Sequence, residues 1–244
     1  MDVTRAASLV GSLGIHCTAT ILDPWYNKGV GGVVPRAEYD AFIQGILQAG
    51  SALSPHVFLW GFPEIVARYV DDHPDELRLE AWLTWYYKNN PSVIRGWRSA
   101  QMTCLHFARS DAVLHPEHFL NEKQLEKQAQ GKLRYMPGPT SVLDEPVLPS
   151  DVIECSLLVG FVGKKEQTGH PSQKPVKVYE KLILMATAAQ EVVFDPMAGS
   201  GTSGVVARLH DRIAILSDSD ERFVSMMEDR LGVHRIRLPS ELVA

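Results

Sequence analysis

The sequence predicts a doubly wound α/β fold, on three observations. Between Val192 and Leu231 a short apolar run, a glycine-rich turn, a helical segment, a second apolar run and a second helical segment follow one another, which is the unit from which such sheets are built. The first hundred residues likewise alternate β-prone runs with helically spaced ones. The chain has 244 residues, 45% hydrophobic and 22% charged, which suits one main core of ordinary globular composition.

Taken in order, residues 17–22 (CTATIL) form a β-prone run that stops at Asp23-Pro24-Trp25-Tyr26-Asn27-Lys28-Gly29, where proline and glycine end a strand. Glu38 to Ala49 has helical spacing. Val57 to Trp60 reads as a compact strand closed by Gly61-Phe62-Pro63, and a short helix is expected from about Glu64 to Tyr69. Ala81–Lys88 and Met102–Ala108 read as two neighbouring strands flanking a polar loop. From Ser110 to Ser150 the composition changes to a charged stretch, Asn121 to Gln130, and then a Pro/Gly-rich one, as in an insertion or cover. Val176, Tyr179, Leu182, Ile183 and Ala186 recur at helical spacing and predict a helix with one buried face over 176–188. Strand 192–194, a helix over 205–209, strand 213–216 and a last helix over 221–231 complete the reading. No internal repeat or low-complexity tract is present.

Composition excludes several classes. No run approaches the roughly 18–20 apolar residues that a membrane helix needs, so no membrane association is expected. Ala6 to Ile15 is broken by Gly11, Ser12 and Gly14 and does not read as a signal peptide. Three distant cysteines, Cys17, Cys104 and Cys155, with no CxxC pair, fit reduced thiols and a cytoplasmic location, and imply no metal site. A net charge of −5 argues against indiscriminate coating of nucleic acid, yet leaves room for a local basic face. Lys164, Lys165, Lys174, Lys177 and Lys181, or Lys88, Arg95 and Arg98, could form one; solvated surface charge is the plain alternative.

Two loops carry the chemical signal. Asp195-Pro196-Met197-Ala198-Gly199-Ser200-Gly201-Thr202-Ser203-Gly204 follows a strand and opens a helix, and Asp218 ends the next strand. Small residues let backbone approach a ligand, and a carboxylate in that place can accept from ribose hydroxyls, so an adenosine-type cofactor is expected; glycine used for turn geometry alone is the other reading. No lysine follows the glycines as in a GxxxxGK[ST] phosphate loop, which disfavours nucleotide triphosphate hydrolysis. The second loop is Asp23-Pro24-Trp25-Tyr26-Asn27. An amino group conjugated to a base is a weak nucleophile because its lone pair is delocalised. Asp23 Oδ and the Pro24 carbonyl could bind its two N–H bonds and favour pyramidal nitrogen, with Trp25 or Tyr26 stacking on the base. Asp-Pro followed by aromatics can also be simply a turn with a packed ring.

Together these loops resemble the amino-group DNA methyltransferases, whose catalytic motif (D/N/S)PP(Y/F/W) stands here as DPWYN and whose cofactor motif DPFxGSGTT stands as DPMAGSGTS. His170-Pro171-Ser172-Gln173-Lys174-Pro175 resembles the HPTQKP segment, and Ser150-Asp151-Val152 a weaker upstream one. The catalytic motif precedes the cofactor motif, which is the permuted order of the β-class. The resemblance implies a Rossmann-like, mostly parallel seven-stranded sheet with helices on both faces. It divides the chain into a catalytic half, 1–109, a short insertion at 110–150 that is a candidate target-recognition segment, and a cofactor-binding half, 151–244. It implies S-adenosyl-L-methionine held by Asp23, Lys174, Pro175, Asp195, Pro196, Met197, Gly199, Ser200, Gly201, Thr202 and Asp218, with Asp23, Pro24, Trp25 and Tyr26 catalytic. His170 reads as an ordinary loop residue.

The implied reaction is base flipping in DNA and direct methyl transfer to adenine N6, in the restriction-modification setting common to the family. Cytosine N4 is the alternative base, since enzymes acting there tend to have serine at the place of Asp23. No cysteine follows a proline, so the resemblance implies no covalent intermediate. Trp25 replaces the second proline of the motif, and with the acidic balance it supports a rival: a catalytically silent DNA-binding or scaffold subunit of the same fold. An RNA or small-molecule amino methyltransferase is a further rival. The short insertion fits a short target sequence, or a homodimer or partner subunit.

Overall fold

The computed structural model describes residues 2–28, 32–90, 93–94, 96–133 and 149–236. The chain starts with helix α1 (Val3–Ser12), capped by the Asp2 carboxylate, which accepts from the Arg5 amide at 3.0 Å. Strand β1 (Ala19–Leu22) is buried along its whole length, as is β2 (His56–Gly61) after helix α2 (Arg36–Leu53). That double-sided burial is why both read as continuous apolar runs instead of alternating ones. The short helix α3 (Pro63–Val66) continues as a 3-10 turn, Ala67–Val70. Strand β3 (Arg78–Tyr86), a small hairpin of β4 (Val93–Ile94) and β5 (Trp97–Arg98), and β6 (Gln101–Ala108) follow.

Beyond a 3-10 turn at Pro116–Phe119, helix α4 (Glu122–Ala129) buries no residue, as its charged sequence requires. The Pro/Gly-rich stretch that the sequence marks as a cover falls mainly on 134–148, outside the described residues. Then come β7 (Val152–Glu154), α5 (Val176–Ala186), β8 (Val192–Asp195), α6 (Thr202–Leu209), β9 (Ile213–Leu216) and α7 (Glu221–Leu231).

The main sheet has seven strands in the order β7-β3-β6-β2-β1-β8-β9, with β6 antiparallel to both neighbours and the other pairings parallel. The α/β, mostly parallel, seven-stranded sheet expected from the sequence is therefore present. One face, with Ile21, Phe58, Trp60 and Cys104, packs on Tyr179, Leu182 and Ile183 of α5. The other, with Leu22, Val57, Leu59 and Leu105, packs on Tyr39, Ile43 and Leu47 of α2. Helices thus cover both faces. Because β1, β2, β8 and β9 run the same way, Leu22, Gly61, Asp195 and Leu216 all finish at one edge, where the ligand crevice of such sheets lies.

The elements differ from the sequence reading mainly at their ends. Helix α6 begins at Thr202, not Val205, because Gly201 in left-handed backbone (φ 73°) stands at its N-cap. Helix α2 runs on to Leu53, beyond the Ala49 at which its apolar spacing ends, with Gly50 packed closely on Thr20 and Val57.

Candidate active site

Asp23 leaves the end of β1 and Lys174 precedes α5, 151 residues later, and the fold brings them into contact. Lys174 Nζ donates to Asp23 Oδ2 at 2.5 Å and to the Tyr26 hydroxyl oxygen at 2.8 Å; the Tyr26 hydroxyl in turn donates to Asp23 Oδ1 at 2.7 Å. The lysine side chain is 3% exposed and the carboxylate 13%. Burial, followed by the Asp23 charge, holds the Tyr26 phenol well above its ordinary pKa, so it remains a donor. Lys174 Nζ also lies 5.4 Å above the Trp60 ring and 5.5 Å above that of Tyr26.

The two aromatics of the loop are held by packing. Trp25 turns into helix α2, its ring 4.5 Å from Phe42 and 5.4 Å, edge-on, from Tyr39, while the Tyr39 hydroxyl donates to the Trp25 carbonyl at 2.7 Å. Tyr26 meets Phe62 edge-on at 5.0 Å. Asn27, in left-handed backbone (φ 50°), clamps the loop: its amide donates to the Val34 carbonyl and its oxygen accepts from the Val34 amide. A cavity of about 230 Å³ lies beside this loop, lined by Tyr26, Asn27, Lys28, Val34, Tyr39 and Arg68 among others.

The glycine-rich turn is built from β8. Asp195 is buried, accepting from the Met197 amide at 3.2 Å and from Ser203 Oγ at 2.5 Å; burial nevertheless pushes its carboxyl up to about 7, against the pull of these two bonds. Asp218, just beyond β9, accepts from the Gly199 amide at 2.9 Å and from the Asp220 amide at 2.9 Å, so it braces the turn from the neighbouring strand. Gly199 adopts φ 50°, and a Cβ there would stand 2.8 Å from His170 Nε2. Backbone and an imidazole therefore meet at a distance only glycine permits.

The HPSQKP segment ties the two loops together. Gln173 accepts from the Thr168 amide and hydroxyl and donates to the Glu166 carbonyl, Thr202 Oγ1 donates to the Lys174 carbonyl at 2.9 Å, and His170 meets Phe223 at 4.2 Å. Burial lowers the His170 pKa, which keeps the ring neutral. His170 is a loop residue, as the sequence reads, and its ring packs on the glycine turn. Pro175 is the N-cap of α5, and the Pro196 carbonyl faces Ser217 Oγ at 3.4 Å.

Residues absent from the sequence reading complete the framework. Arg230 of α7 donates to the Ser200 carbonyl and Oγ and to Thr202 Oγ1, and Glu166 accepts from the Val176 amide at 2.7 Å while facing Arg230 at 3.9 Å. Nothing in the local sequence marks Arg230, a basic residue in a terminal helical turn like any other. Phe62 could have been noticed as an aromatic just after a strand end.

Residues 33–229 match the model of a family described as DNA methylase. The chain belongs to this family of amino-group methyltransferases. The match takes in the glycine-rich turn and the HPSQKP segment but begins after the DPWYN loop. The Type II methyltransferase M.HpaI of Haemophilus parainfluenzae is 29% identical over 154 residues, which are 62% of this chain and 44% of M.HpaI, so the matched segment spans less than half of that relative. The fold is shared with the crystal structure of the M1.HpyAVI–SAM complex, at a TM-score of 0.67 and 17% identity over 96% of this chain and 97% of that one. It is shared also with the cytosine-N4-specific PvuII DNA methyltransferase, at a TM-score of 0.59 and 16% identity over 93% and 83%. Among the described residues no helix is long and apolar enough to cross a membrane.

Proposed function

We propose that this DNA methylase transfers a methyl group from S-adenosyl-L-methionine to the exocyclic amino group of adenine in DNA, with Asp23 and the Pro24 carbonyl as the acceptors that orient the nitrogen. The observation that carries this reading is the convergence of the Asp23 carboxylate, through Lys174, on the segment that buttresses the glycine-rich turn.

The residues fit such a cofactor. The glycine-rich turn leaves a strand end, held in shape by Arg230 and the Lys174 carbonyl through the Ser200 and Thr202 hydroxyls, and Asp218 stands just beyond the adjacent strand, where a ribose would need an acceptor. When bound, S-adenosyl-L-methionine supplies a methyl group on a sulfonium sulfur, which departs as a neutral thioether. Asp23 accepts one N–H bond of the base and the Pro24 carbonyl the other, turning the nitrogen lone pair toward the methyl carbon. Lys174 and Tyr26 hold the Asp23 oxygens in place before the base arrives, so little reorganisation is left for the reacting state. With the cofactor bound, the held nitrogen would take the methyl as the sulfonium sulfur gives up its bond to it, and would then release one of its two protons to solvent, Asp23 and the Pro24 carbonyl having fixed its orientation.

Trp25 buttresses the loop against α2 in this reading, doing by ring packing what a second proline would do by rigidity. Chain segments 1–109 and 151–244 are then the catalytic and cofactor halves of one domain, with target recognition assigned to 110–150.

Label transfer from methyl-labelled S-adenosylmethionine to mixed-sequence duplex DNA, followed by separation of the nucleosides, tests the proposal. We expect label in N6-methyladenine and a loss on the order of 100-fold for Asp23→Ala, the scale of removing one aligned electrostatic partner. Label in N4-methylcytosine would change the base alone. Cofactor binding without transfer to any DNA or RNA would overturn the enzyme assignment and leave the scaffold-subunit reading.

A further inference from the structure

The loop between β7 and α5 carries a feature that the methyl-transfer site does not use. From Val159 to Lys165 every residue is exposed, and Phe161 is 98% exposed, flanked by Val159 at 46% and Val162 at 41%. Such an apolar tip would cost little to bury by collapse, yet the local structure holds it out. Gly160 and Gly163 take left-handed backbone (φ 59° and 63°), and the Val162 amide donates to the Val159 carbonyl at 3.0 Å. The Gln167 side chain donates to the carbonyls of Gly160 and Val162 at 3.1 and 2.7 Å, clamping the turn from inside. At Gly163, in left-handed backbone, the Leu158 side chain packs against the turn where a Cβ would stand.

The tip is mechanically joined to the active site. Glu166 and Thr168, which follow it, are bonded to Gln173, and the next residue, Lys174, holds Asp23. Its charge is one-sided as well: Lys164 and Lys165 are exposed and form no ion pair among the described residues, while the neighbouring Glu166 turns inward to the Val176 amide. A clamped apolar tip beside two exposed lysines, on the loop that leads through Gln173 to Lys174 of a site read as acting on a base, has the chemistry to enter a duplex while the lysines hold the flanking phosphates.

We propose that Phe161 is the wedge that fills the gap left in the DNA stack when the target base is extruded toward Asp23, with Lys164 and Lys165 on the phosphates beside it. This inference rests on the DNA methyl-transfer reading above. It makes Phe161 a positioning residue: it never touches the reacting atoms, and its contribution exists only where a base must leave a stack.

The test compares methyl transfer to enzymatically amplified, unmethylated genomic duplex DNA with transfer to the same DNA heat-denatured to single strands, for the wild-type chain, Phe161→Ala and Phe161→Leu. Phe161→Ala should lose about tenfold or more in kcat/KM on the duplex, the factor that 1.4 kcal/mol of lost stabilisation gives. Its loss on single strands should be several-fold smaller, and Phe161→Leu, which keeps an apolar wedge, should recover most of the duplex rate. Equal losses on both substrates, or no loss on the duplex, would overturn the wedge and leave methyl transfer standing. A wild-type chain that methylates neither substrate would remove the methyl-transfer reading, and the wedge with it. A change in oligomeric state of Phe161→Ala, read by sedimentation, would assign the tip to a second copy of the chain and likewise overturn the proposal.

Discussion

Lys174 and Asp23 bury opposite charges that lie far apart in sequence, and what each does follows from the other's presence. Taking one member out of a buried pair strands the other charge, at a cost of about 3–5 kcal/mol. Lys174→Met should therefore lower the unfolding free energy by about that amount in urea titrations, and Asp23→Asn in the same background should restore part of it. A Lys174→Met chain as stable as wild type would show that the pair is not formed. Gly199 gives a second residue-scale outcome. Alanine there meets both left-handed backbone, worth roughly 1–2 kcal/mol, and the His170 ring. Gly199→Ala should lose both stability and cofactor affinity in calorimetry, and His170→Gly should relieve only the steric part.

At the scale of elements, legibility in the sequence tracked how much of the local pattern was imposed by the core. Helix α5 shows it best: Tyr179, Leu182, Ile183 and Ala186 are buried against β1, β2 and β8, and their spacing had to be written into the chain. Leu182→Ala should cost about 2–5 kcal/mol in urea denaturation, whereas Leu13→Ala, at an exposed helix end, should stay within about 0.5 kcal/mol. Helix α1 was missed because Gly11, Ser12 and Gly14 interrupt its apolar stripe; it forms through Asp2 capping and the burial of Val3, Ala6, Ala7 and Val10, which local propensity does not record. Strand β7 has three residues and exists only because β3 offers it a parallel edge. The same division applies to the site. Asp23, Asp195 and Asp218 were legible since each closes a strand, while Arg230 acquires its contacts with Ser200 and Thr202 only through tertiary packing.

Across the whole molecule, buried titratable groups at opposite ends of the sheet set opposing pH dependences. His106 and His56 share a contact of 3.0 Å at the far end from Asp23, and burial lowers both, His106 to about 3 from an ordinary 6.5. The unfolded chain therefore binds protons that the folded one refuses: this contribution to stability is full above about pH 6.5 and falls as the solution is acidified, by about 1.4 kcal/mol per pH unit for His106 down to about pH 3, with His56 adding in the same direction. Asp195 acts in the other direction. Its folded carboxyl, pushed up to about 7 from 3.8, takes its proton before the unfolded one does, so acidification from about pH 7 to 4 stabilises the fold with a similar slope. His106 and Asp195 oppose one another with similar slopes between about pH 6.5 and 4, and the lowered pKa of His56 tips the balance, so the chain should lose stability as pH falls below about 6.5. Urea midpoints measured between pH 8 and 4.5 separate the contributions. His106→Gln should flatten the acid slope by about 1.4 kcal/mol per unit, and Asp195→Asn should steepen it by a comparable amount. A His106→Gln profile parallel to wild type would mean that the buried pair admits a proton in the folded state, and that the far end of the sheet is more open to water than its packing implies.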